Sequence, residues 1–502
     1  MNKRLVLYLL SYFLCLLGYS QKEDYTWLLG SGTLNQLNFT ETGYSLSTLN
    51  PDSSLRIHIT NASLSDSSGN LLLFTGGASI YDNLGNIIEN GDSINPGYIR
   101  DSWQATPGAY PHPSGAFFLK SLYSEKSYLL FHYRGDTITA LDQNITYSYG
   151  TDVFLSLISQ NSLGEFYVDS KNTSILQDTL DRGGISACRH GNGRDWWIMA
   201  SEGGSNCYYT LLYSPDTIVQ IHKQCLGIKS EYYDSGQSLF SPDGSLFIRG
   251  SIVDGVEIFD FDRCSGLLSN PRQIPLSEFG VNFTNEYSGS VSIAPNNRFL
   301  YVATGGRLFQ YDLNIEDIIL SKQLIHNRDT ATTLDRLFLS MQLAPTGEII
   351  VGGGSWINEI HIIHNPNEYG VSCDFEVKIP IPRDGSDGLP NFPNYRLGAL
   401  TGSACDTLGV GIKELSTKIE ILLNPNPANT YVEIDYGFFP WQSKSEAVLQ
   451  IHNLLGEKVF SMSLPHYSGK QIIDISKFAA GVYFVGVYDR GRRVGMVKLI
   501  VD

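Results

Sequence analysis

Residues 231–271 read EYYDSGQSLFSPDGSLFIRGSIVDGVEIFDFDRCSGLLSNP, from Glu231 to Pro271. An apolar entry at Leu239-Phe240 leads into the turn Ser241-Pro242-Asp243-Gly244. Proline sets φ at the first turn position and glycine accepts the left-handed one. The run Leu246-Phe247-Ile248 then reads as a strand, and Asp254-Gly255 as the tight turn of a hairpin. Val256, Ile258, Phe259 and Phe261 supply the next strand, which Cys264-Ser265-Gly266 ends. Such an antiparallel meander is apolar on both faces and cannot bury both alone.

The unit recurs. Ile293-Ala294-Pro295-Asn296-Asn297 precedes the strand-like Phe299-Leu300-Tyr301-Val302, and Leu343-Ala344-Pro345-Thr346-Gly347 precedes Ile349-Ile350-Val351. Gly244, Asn297 and Gly347 occupy matching turn positions, 53 and 50 residues apart, and Gly193 precedes Gly244 by 51. A period near 50 in β-sequence predicts the blades of a β-propeller, in which each sheet covers its neighbour's apolar face. Earlier blades are expected over 57–90, 114–176 and 183–227. Tyr25 to Leu49 lacks the turn of a full blade. It is expected to close the ring by joining Phe392 to Thr401 in a last blade. Seven blades result, and the spacing also accommodates six or eight. The stretch from Asn95 to Pro113 reads as an ordered surface loop at the rim.

Composition agrees. The 502 residues are 12% aromatic and only 17% charged, with 49 glycines, which suits many short strands joined by turns. A formal charge of −16 argues against nucleic acid or an anionic membrane as partner. Lys3 and Arg4 followed by the apolar Leu5 to Leu17 predict a signal peptide over 1–20, cut before Gln21, and no later apolar run is long enough to span a bilayer. Beyond Cys15, six cysteines remain: Cys188, Cys207, Cys225, Cys264, Cys373 and Cys405. An even number in an exported chain predicts disulfides, with connectivity left open among 15 pairings.

Past a linker over 406–418, residues 419–502 change character. Tyr431–Ile434, Ala447–Ile451, Val459–Met462, Gly481–Tyr488 and Val494–Val501 read as turn-separated strands of an immunoglobulin-like sandwich. Asn424-Pro425-Asn426-Pro427 makes a stiff entry where proline blocks ladder bonding.

Two resemblances follow. DSSGNLLLF (66–74), HGNGRDWW (190–197), the Ser-Pro-Asp-Gly turn, VEIFDFD (256–262) and LPNFPNYRLG (389–398) resemble secreted bacterial propellers related to the Tyr-Val-Thr-Asn and WD-repeat groups. That likeness covers about 25–405, within a propeller domain expected over 21–405, and implies a fold without an activity. LNPNPANTYVEI (423–434), LQIHNLLGEKVF (449–460), IDISKFAAGVYFVGVYD (473–489) and VKLIV (497–501) resemble the type A C-terminal sorting domain of the type IX secretion system. Asn424, Pro425, Asn426, Pro427, Gly456, Gly481, Tyr483 and Lys498 carry the match. It implies export across both membranes of a Gram-negative bacterium, with the type IX translocon and its surface-attachment machinery as partners. It also implies a product anchored at the surface or released, its sorting domain removed.

Catalytic motifs are missing: no nucleophile elbow, zinc-binding His-Glu-x-x-His helix or phosphate loop appears. His190, Arg194 and Asp195 form the most polar blade motif. They read either as an acid/base pair with an anion-binding arginine at the channel or, preferably, as residues that hold a blade turn. Asp260 and Asp262 share a strand face that could offer carboxylates to calcium, but without an Asp-x-Asp-x-Asp-Gly loop no cofactor is expected. His361 and His364, three apart on a strand, point to opposite faces and read as separate histidines. Ser93, Thr137, Thr179, Thr217, Thr330 and Thr407 each follow an aspartate and precede an apolar or small residue. They resemble the O-glycosylation sites of bacteria that use this route, in polar loops. The preferred function is non-catalytic binding or adhesion to an extracellular glycan or protein through tyrosine- and tryptophan-rich faces. The alternative is a hydrolase, lactonase or lyase at the channel mouth, which would need carboxylates or histidines converging from different blades.

Overall fold

Gly244 is left-handed, with φ 74°, and its N–H closes the turn on Ser241 O at 2.8 Å. The same turn recurs at Gly69, Gly193, Asn297 and Gly347, each with positive φ and each bonding three residues back. At Gly244 a Cβ would meet Cys188 Sγ, Arg263 Cδ and Leu397 Cδ2 at 2.8 Å, so glycine is also required by close packing.

The computed structural model describes residues 21–502 except 51–54, 58, 104–107, 123, 141–144, 215–216, 231, 280–286, 328–337, 354–357, 384, 386–387, 407–419, 438–446, 465–467 and 490–491. The expected signal peptide, the expected linker beyond Asp406, and the candidates Thr330 and Thr407 lie outside the described residues. The chain divides into two compact units, one of 1–213 with 218–406, the other of 407–502 with 214–217.

Among the described residues of the first unit, the strands from Thr26 to Pro380 make seven antiparallel sheets. Sheet 1 joins Thr26–Ser31, Leu34–Phe39 and Tyr44–Leu49 to Arg56–Ile57, and sheet 2 comprises Ala62–Ser65, Leu71–Thr75 and Ile80–Asp82. Sheet 3 runs from Ala116 to Leu180, sheet 4 from Ser186 to Cys225, sheet 5 from Ser238 to Pro275, sheet 6 from Tyr287 to Asn327 and sheet 7 from Ser340 to Pro380. Each of these five is a four-stranded meander in chain order. Pro271 and Pro275 sit in the last strand of sheet 5, the edge position where a missing N–H is tolerated.

Apolar faces pack sheet on sheet around a ring. Phe247 and Phe259 of sheet 5 meet Trp197 and Met199 of sheet 4. Val256 and Ile258 meet Val302 and Tyr311 of sheet 6, whose Phe299 and Tyr301 meet Ile349 and Val351 of sheet 7. Ile350 and Ile362 of sheet 7 then pack on Trp27, Leu29 and Leu37 of sheet 1, and Leu28 and Leu34 on the other side of sheet 1 pack on Leu71 and Phe74 of sheet 2. Ala62–Ser65 of sheet 2 lies beside Ala116–Lys120 of sheet 3, and the Phe131 ring of sheet 3 meets Tyr213 of sheet 4 at 5.5 Å. The sheets therefore form a β-propeller. First strands face the axis: Ser186–Arg189, Ser238–Phe240, Tyr287–Ile293 and Ser340–Leu343 lie side by side in that order. Last strands face solvent, as the alternating exposure of Phe375–Pro380 shows. Second strands such as Trp196–Ser201 and Phe299–Thr304 are wholly buried, so they are apolar on both faces rather than alternating.

Three expectations are corrected. Phe392 to Thr401 contains no strand and completes no blade; sheet 1 takes its axial edge from Arg56–Ile57 instead, paired at Gly30 and Ser31. The 95–113 stretch is not simply a surface loop: Asn95, Ile99, Tyr110 and His112 are buried, and Asn95 Oδ1 bonds His132 Nδ1 at 2.7 Å. Only four of the six cysteines pair, as Cys207–Cys225 and Cys264–Cys405, while Cys188 and Cys373 are buried thiols. Burial pushes the Cys188 thiol up to about 12, and it packs among Trp197, Phe247 and Phe261 as a small apolar group.

The second unit is a sandwich of Glu420–Asn424, Tyr431–Gly437 and Ser468–Asp474 against Lys458–Ser463, Val448–Asn453, Gly481–Asp489 and Arg492–Val501. Val432, Ile434, Leu449, Ile451, Val485, Val487 and Leu499 fill it.

Candidate functional site

The axial channel of the ring is occupied by the chain itself. After sheet 7, residues 388–400 run past the first strands of four sheets. The single Asn391 amide nitrogen reaches Ser114 O, Ala116 O and Ile185 O at 3.3, 3.2 and 2.9 Å, and the Asn391 N–H donates to Asn61 O at 3.0 Å. Asn61 in turn donates to Leu28 O and Gly388 O, both at 2.7 Å, and Leu389 N–H donates to Ser340 Oγ at 3.3 Å. Carbonyls at the starts of first strands lack a ladder partner toward the axis, and a side-chain amide supplies the missing donors. Further round, Gln237 bridges sheets 5, 6 and 7. Its Nε2 donates to Met341 O at 2.5 Å, and its Oε1 accepts from Ser290 Oγ at 3.4 Å.

The segment leaves the axis along sheets 3 and 4. Tyr395 Oη donates to Phe118 O at 2.7 Å, and Arg189 donates to Tyr395 O at 3.3 Å. It ends on the 190–195 turn. Leu400 N–H donates to Gly191 O at 2.8 Å, Arg263 donates to Gly398 O, and the Cys264–Cys405 bond fixes the end. Gly191 and Gly193 leave room for this contact. A Cβ at Gly191 would lie 2.4 Å from Cys405 Sγ, and one at Gly193 2.7 Å from Ala399 N.

The sequence candidates His190, Arg194 and Asp195 belong to this seat. His190 Nδ1 accepts Asn192 N–H at 3.0 Å, so Nε2 carries the proton and donates to Cys264 O at 3.1 Å. Arg194 grips Asp195 at 2.6 and 3.0 Å, and Asn192 donates to Asp195 Oδ2 at 2.8 Å. These bonds hold the turn that carries the segment.

A second cluster, which the sequence reading missed, joins sheets 3, 4 and 5. Arg249, fully buried, donates to Asp181 Oδ2 at 2.7 Å, Asp234 Oδ2 at 2.9 Å and Glu257 Oε2 at 3.0 Å. Tyr208 also donates to Glu257 Oε2, at 2.8 Å. The remaining carboxylate oxygens take backbone N–H groups: Asp181 that of Asp234, Asp234 those of Ser235 and Ile252, Glu257 that of Ile228. Three carboxylates face one guanidinium, and burial disfavours their charge. Burial therefore raises the Asp181 carboxyl and pushes Asp234 up to about 7, while Arg249 is held firmly charged. A cavity of about 10 Å³, room for one water, lies against Asp181, Asp234, Arg249 and Ser201 between Gly183, Gly184, Gly236 and Gly250. The signal was readable: Asp181 and Asp234 stand 53 residues apart, one repeat, each two positions before a glycine.

Other candidates stay apart. Asp260 accepts from Asn270 and Arg272, whereas Asp262 caps Cys264 N–H and Ser265 Oγ. His361 is buried and accepts Lys378 N–H at 3.0 Å, while His364 bridges Glu348 and Glu376. Among the described residues no three His, Cys, Asp or Glu stand close enough to hold a metal ion. Ser93 lies in a loop, its Oγ on Asp92 at 3.0 Å. Thr137 and Thr179, expected in loops, lie instead in strands, because sheet 3 has strands of 14, 16 and 15 residues, and Thr217 opens the last strand of sheet 4.

In the second unit, the Asn426 side chain donates to Lys498 O at 2.8 Å and accepts Ile500 N–H at 2.9 Å, tying the Asn424–Pro427 entry to the last strand. Gly456 closes the Asn453 turn with φ 80°, and Tyr483, which follows Gly481, donates to Ala479 O at 2.8 Å. Residues 423–502 match the family described as the secretion system C-terminal sorting domain. The second unit is a type IX secretion sorting domain. The chain carrying it is exported to the outer surface or surroundings of a Gram-negative cell, and the sorting domain makes the type IX machinery its partner. Among the described residues no helix is long and apolar enough to cross a membrane.

No curated protein matches the chain. Solved structures do. A Bacteroides uniformis protein provisionally assigned as a 6-phosphogluconolactonase matches with TM-score 0.43 and 14% identity, over 73% of this chain and 99% of its own. The periplasmic gluconolactonase PpgL of Pseudomonas aeruginosa gives 0.37 and 11%, over 73% and 98%. PorZ of Porphyromonas gingivalis, a surface component of the type IX system, gives 0.31 and 12%, over 96% and 74%. At these scores nothing further rests on the likeness.

Proposed function

We propose that the exported chain is a non-catalytic binding or adhesion protein, with one blade for each of its seven sheets, that holds an extracellular glycan or protein on its exposed faces. Residues 1–20 are its signal peptide and 406–418 its linker. The mature passenger is 21–405, released or anchored once the sorting domain, 419–502, is removed, and Ser93 is its described glycosylation candidate outside the strands. The filled channel carries this reading. Asn391, Asn61 and Gln237 spend their side-chain amides closing the axis, where a propeller enzyme would keep open space for substrate. Burial holds His112 and His132 down to about 3, so both stay neutral and are weak bases, poorly matched to general-base work near neutrality.

The convergence of Asp181, Asp234 and Glu257 on Arg249 favours a second reading, acid–base hydrolysis of a lactone or glycoside with Asp234 poised near neutrality. The purified full chain, presented to immobilised glycans and to chromogenic lactone and glycoside substrates, separates the two. Retention on a glycan with no turnover supports binding. Turnover abolished by Asp234→Asn in a folded protein overturns it.

A further inference from the structure

We propose that residues 388–405 form a strap whose inner half fills the axial channel and whose outer half is released by reduction. The Cys264–Cys405 bond keeps the outer half, 396–405, seated, and its reduction frees that half while the Asn391 pin stays in place. This goes beyond the binding reading, since it concerns release of the strap's exposed end while the Asn391 pin keeps the axis closed, whatever the faces bind.

The strap is held asymmetrically. Its inner half is fixed from inside the ring. Asn391 and Tyr395 are buried and bond first-strand carbonyls, and Phe392 packs on Trp27 at 5.7 Å. Its outer half lies on the surface: Arg396, Gly398, Ala399, Leu400, Thr401 and Gly402 are exposed. Its noncovalent fastenings are Arg396 on Asp24, the half-buried Leu397 on the cluster of Cys188, Trp197 and Phe247, Gly398 O on Arg263, and Leu400 N–H on Gly191 O. From Gly398 onward, exposed residues and exposed backbone bonds mark a segment that opens more readily than the buried inner half. The disulfide is what turns this weak edge into a closed one, because it joins positions 141 residues apart and confines the end to its seat.

The two disulfides differ in what they hold. Cys207–Cys225 spans 18 residues within sheet 4, so breaking it leaves the strap attached. Cys264 and Cys405 are both partly exposed, open to a small thiol. A dithiol reductant acts in two steps. Its thiolate attacks one sulfur, expelling the other as a thiolate that takes up a proton. Its second thiol then resolves the mixed disulfide. Two cysteine thiols and one oxidised dithiol result, with two electrons and two protons transferred.

Hydrogen exchange and limited trypsin digestion of the purified full chain test this, before and after dithiothreitol, with alkylation confirming which cysteines were reduced. On reduction, exchange across 396–405 and cleavage after Arg396 should rise about tenfold or more, while 388–395 stays protected. Cys207→Ser with Cys225→Ser should keep the response, and Cys264→Ser with Cys405→Ser should show the open pattern without reductant. If either variant fails to fold, the wild-type comparison decides alone. The proposal is overturned if 396–405 stays protected with Cys264 and Cys405 alkylated. It is equally overturned if 388–395 loosens to the same degree, or if dithiothreitol cannot reduce the bond in the folded chain.

Discussion

Arg396 holds both carboxylate oxygens of Asp24, at 2.7 and 2.5 Å, pairing the strap with a residue just ahead of the first strand. Asp24 has 8% side-chain exposure and Arg396 39%, so the carboxylate is the member that depends on the pair. Arg396→Ala leaves a buried, uncompensated charge and should cost about 1–3 kcal/mol, below the value for a fully buried pair. Burial already raises the Asp24 carboxyl despite Arg396, and losing Arg396 raises it further. A raised carboxyl is stabilising while protonated and loses that contribution as pH rises through its folded value. The variant's deficit in urea unfolding should therefore be larger at pH 8 than at pH 5, and an equal deficit at both would refute this account.

Asn391 makes a second prediction. Truncation to alanine strips donors from the carbonyls of Ser114, Ala116 and Ile185 in a buried setting, at about 1–3 kcal/mol. Aspartate has the same shape but turns an acceptor toward acceptors. Asn391→Asp should thus be worse than Asn391→Ala, although it removes fewer atoms. The order of their unfolding midpoints, followed by tryptophan fluorescence, checks this; the reverse order would mean that the pin acts by volume alone.

The repeat was legible because each turn needs a left-handed residue after a fixed count, and Gly193, Gly244, Asn297 and Gly347 stand at that count. The sorting domain was legible because its landmarks lie in sequence order. Ring closure was not. Phe392 to Thr401 looked like strand material, but its polar groups are spent one by one on carbonyls of other sheets, and no local pattern records a partner 206 residues away, as between Asn391 and Ile185. The His190–Asp195 motif was read as polar and turn-forming, which it is, yet its two glycines are explained only by the strap lying on them. The Arg249 cluster escaped because Asp181 and Asp234 look like ordinary loop aspartates until three sheets meet.

His364 lies between Glu348, at 2.7 Å, and Glu376, at 2.9 Å. Burial pulls its pKa down, but the bonds to both glutamates outweigh this, and the imidazole stays charged to higher pH than usual. The pair's contribution is complete below the ordinary histidine range and is lost as pH rises through the raised value. Glu348→Gln with Glu376→Gln should return the titration of His364, followed by NMR, toward the unperturbed value. Stability should change by only about a few tenths of a kcal/mol, since the site is solvated. An unchanged midpoint would show that the glutamates do not hold the proton.

The Arg249 cluster gives the sharpest test, because stability and chemistry predict different outcomes there. Arg249→Gln leaves Asp181, Asp234 and Glu257 facing one another and should cost about 3–5 kcal/mol. Above about pH 7, Asp234→Asn removes one of those charges while keeping the Oδ1 that accepts from Ser235 and Ile252 N–H, so the double variant should recover part of the loss, a coupling that a cycle of four proteins measures directly. Burial pushes Asp234 up to about 7, so the native state keeps its proton between the unfolded carboxyl's range and that value. Stability linked to this group therefore falls as pH rises from about 4 to about 7, the opposite of a salt-bridged aspartate. Asparagine imitates the protonated form at every pH, and Asp234→Asn should flatten that part of the stability profile and match wild type near its lower end. If the cluster only staples three sheets, substrate turnover is absent in both proteins and the profile is the whole effect. If Asp234 acts as an acid or base, the same substitution leaves a stable protein that has lost a measurable rate, which reverses the functional reading while leaving the electrostatics intact.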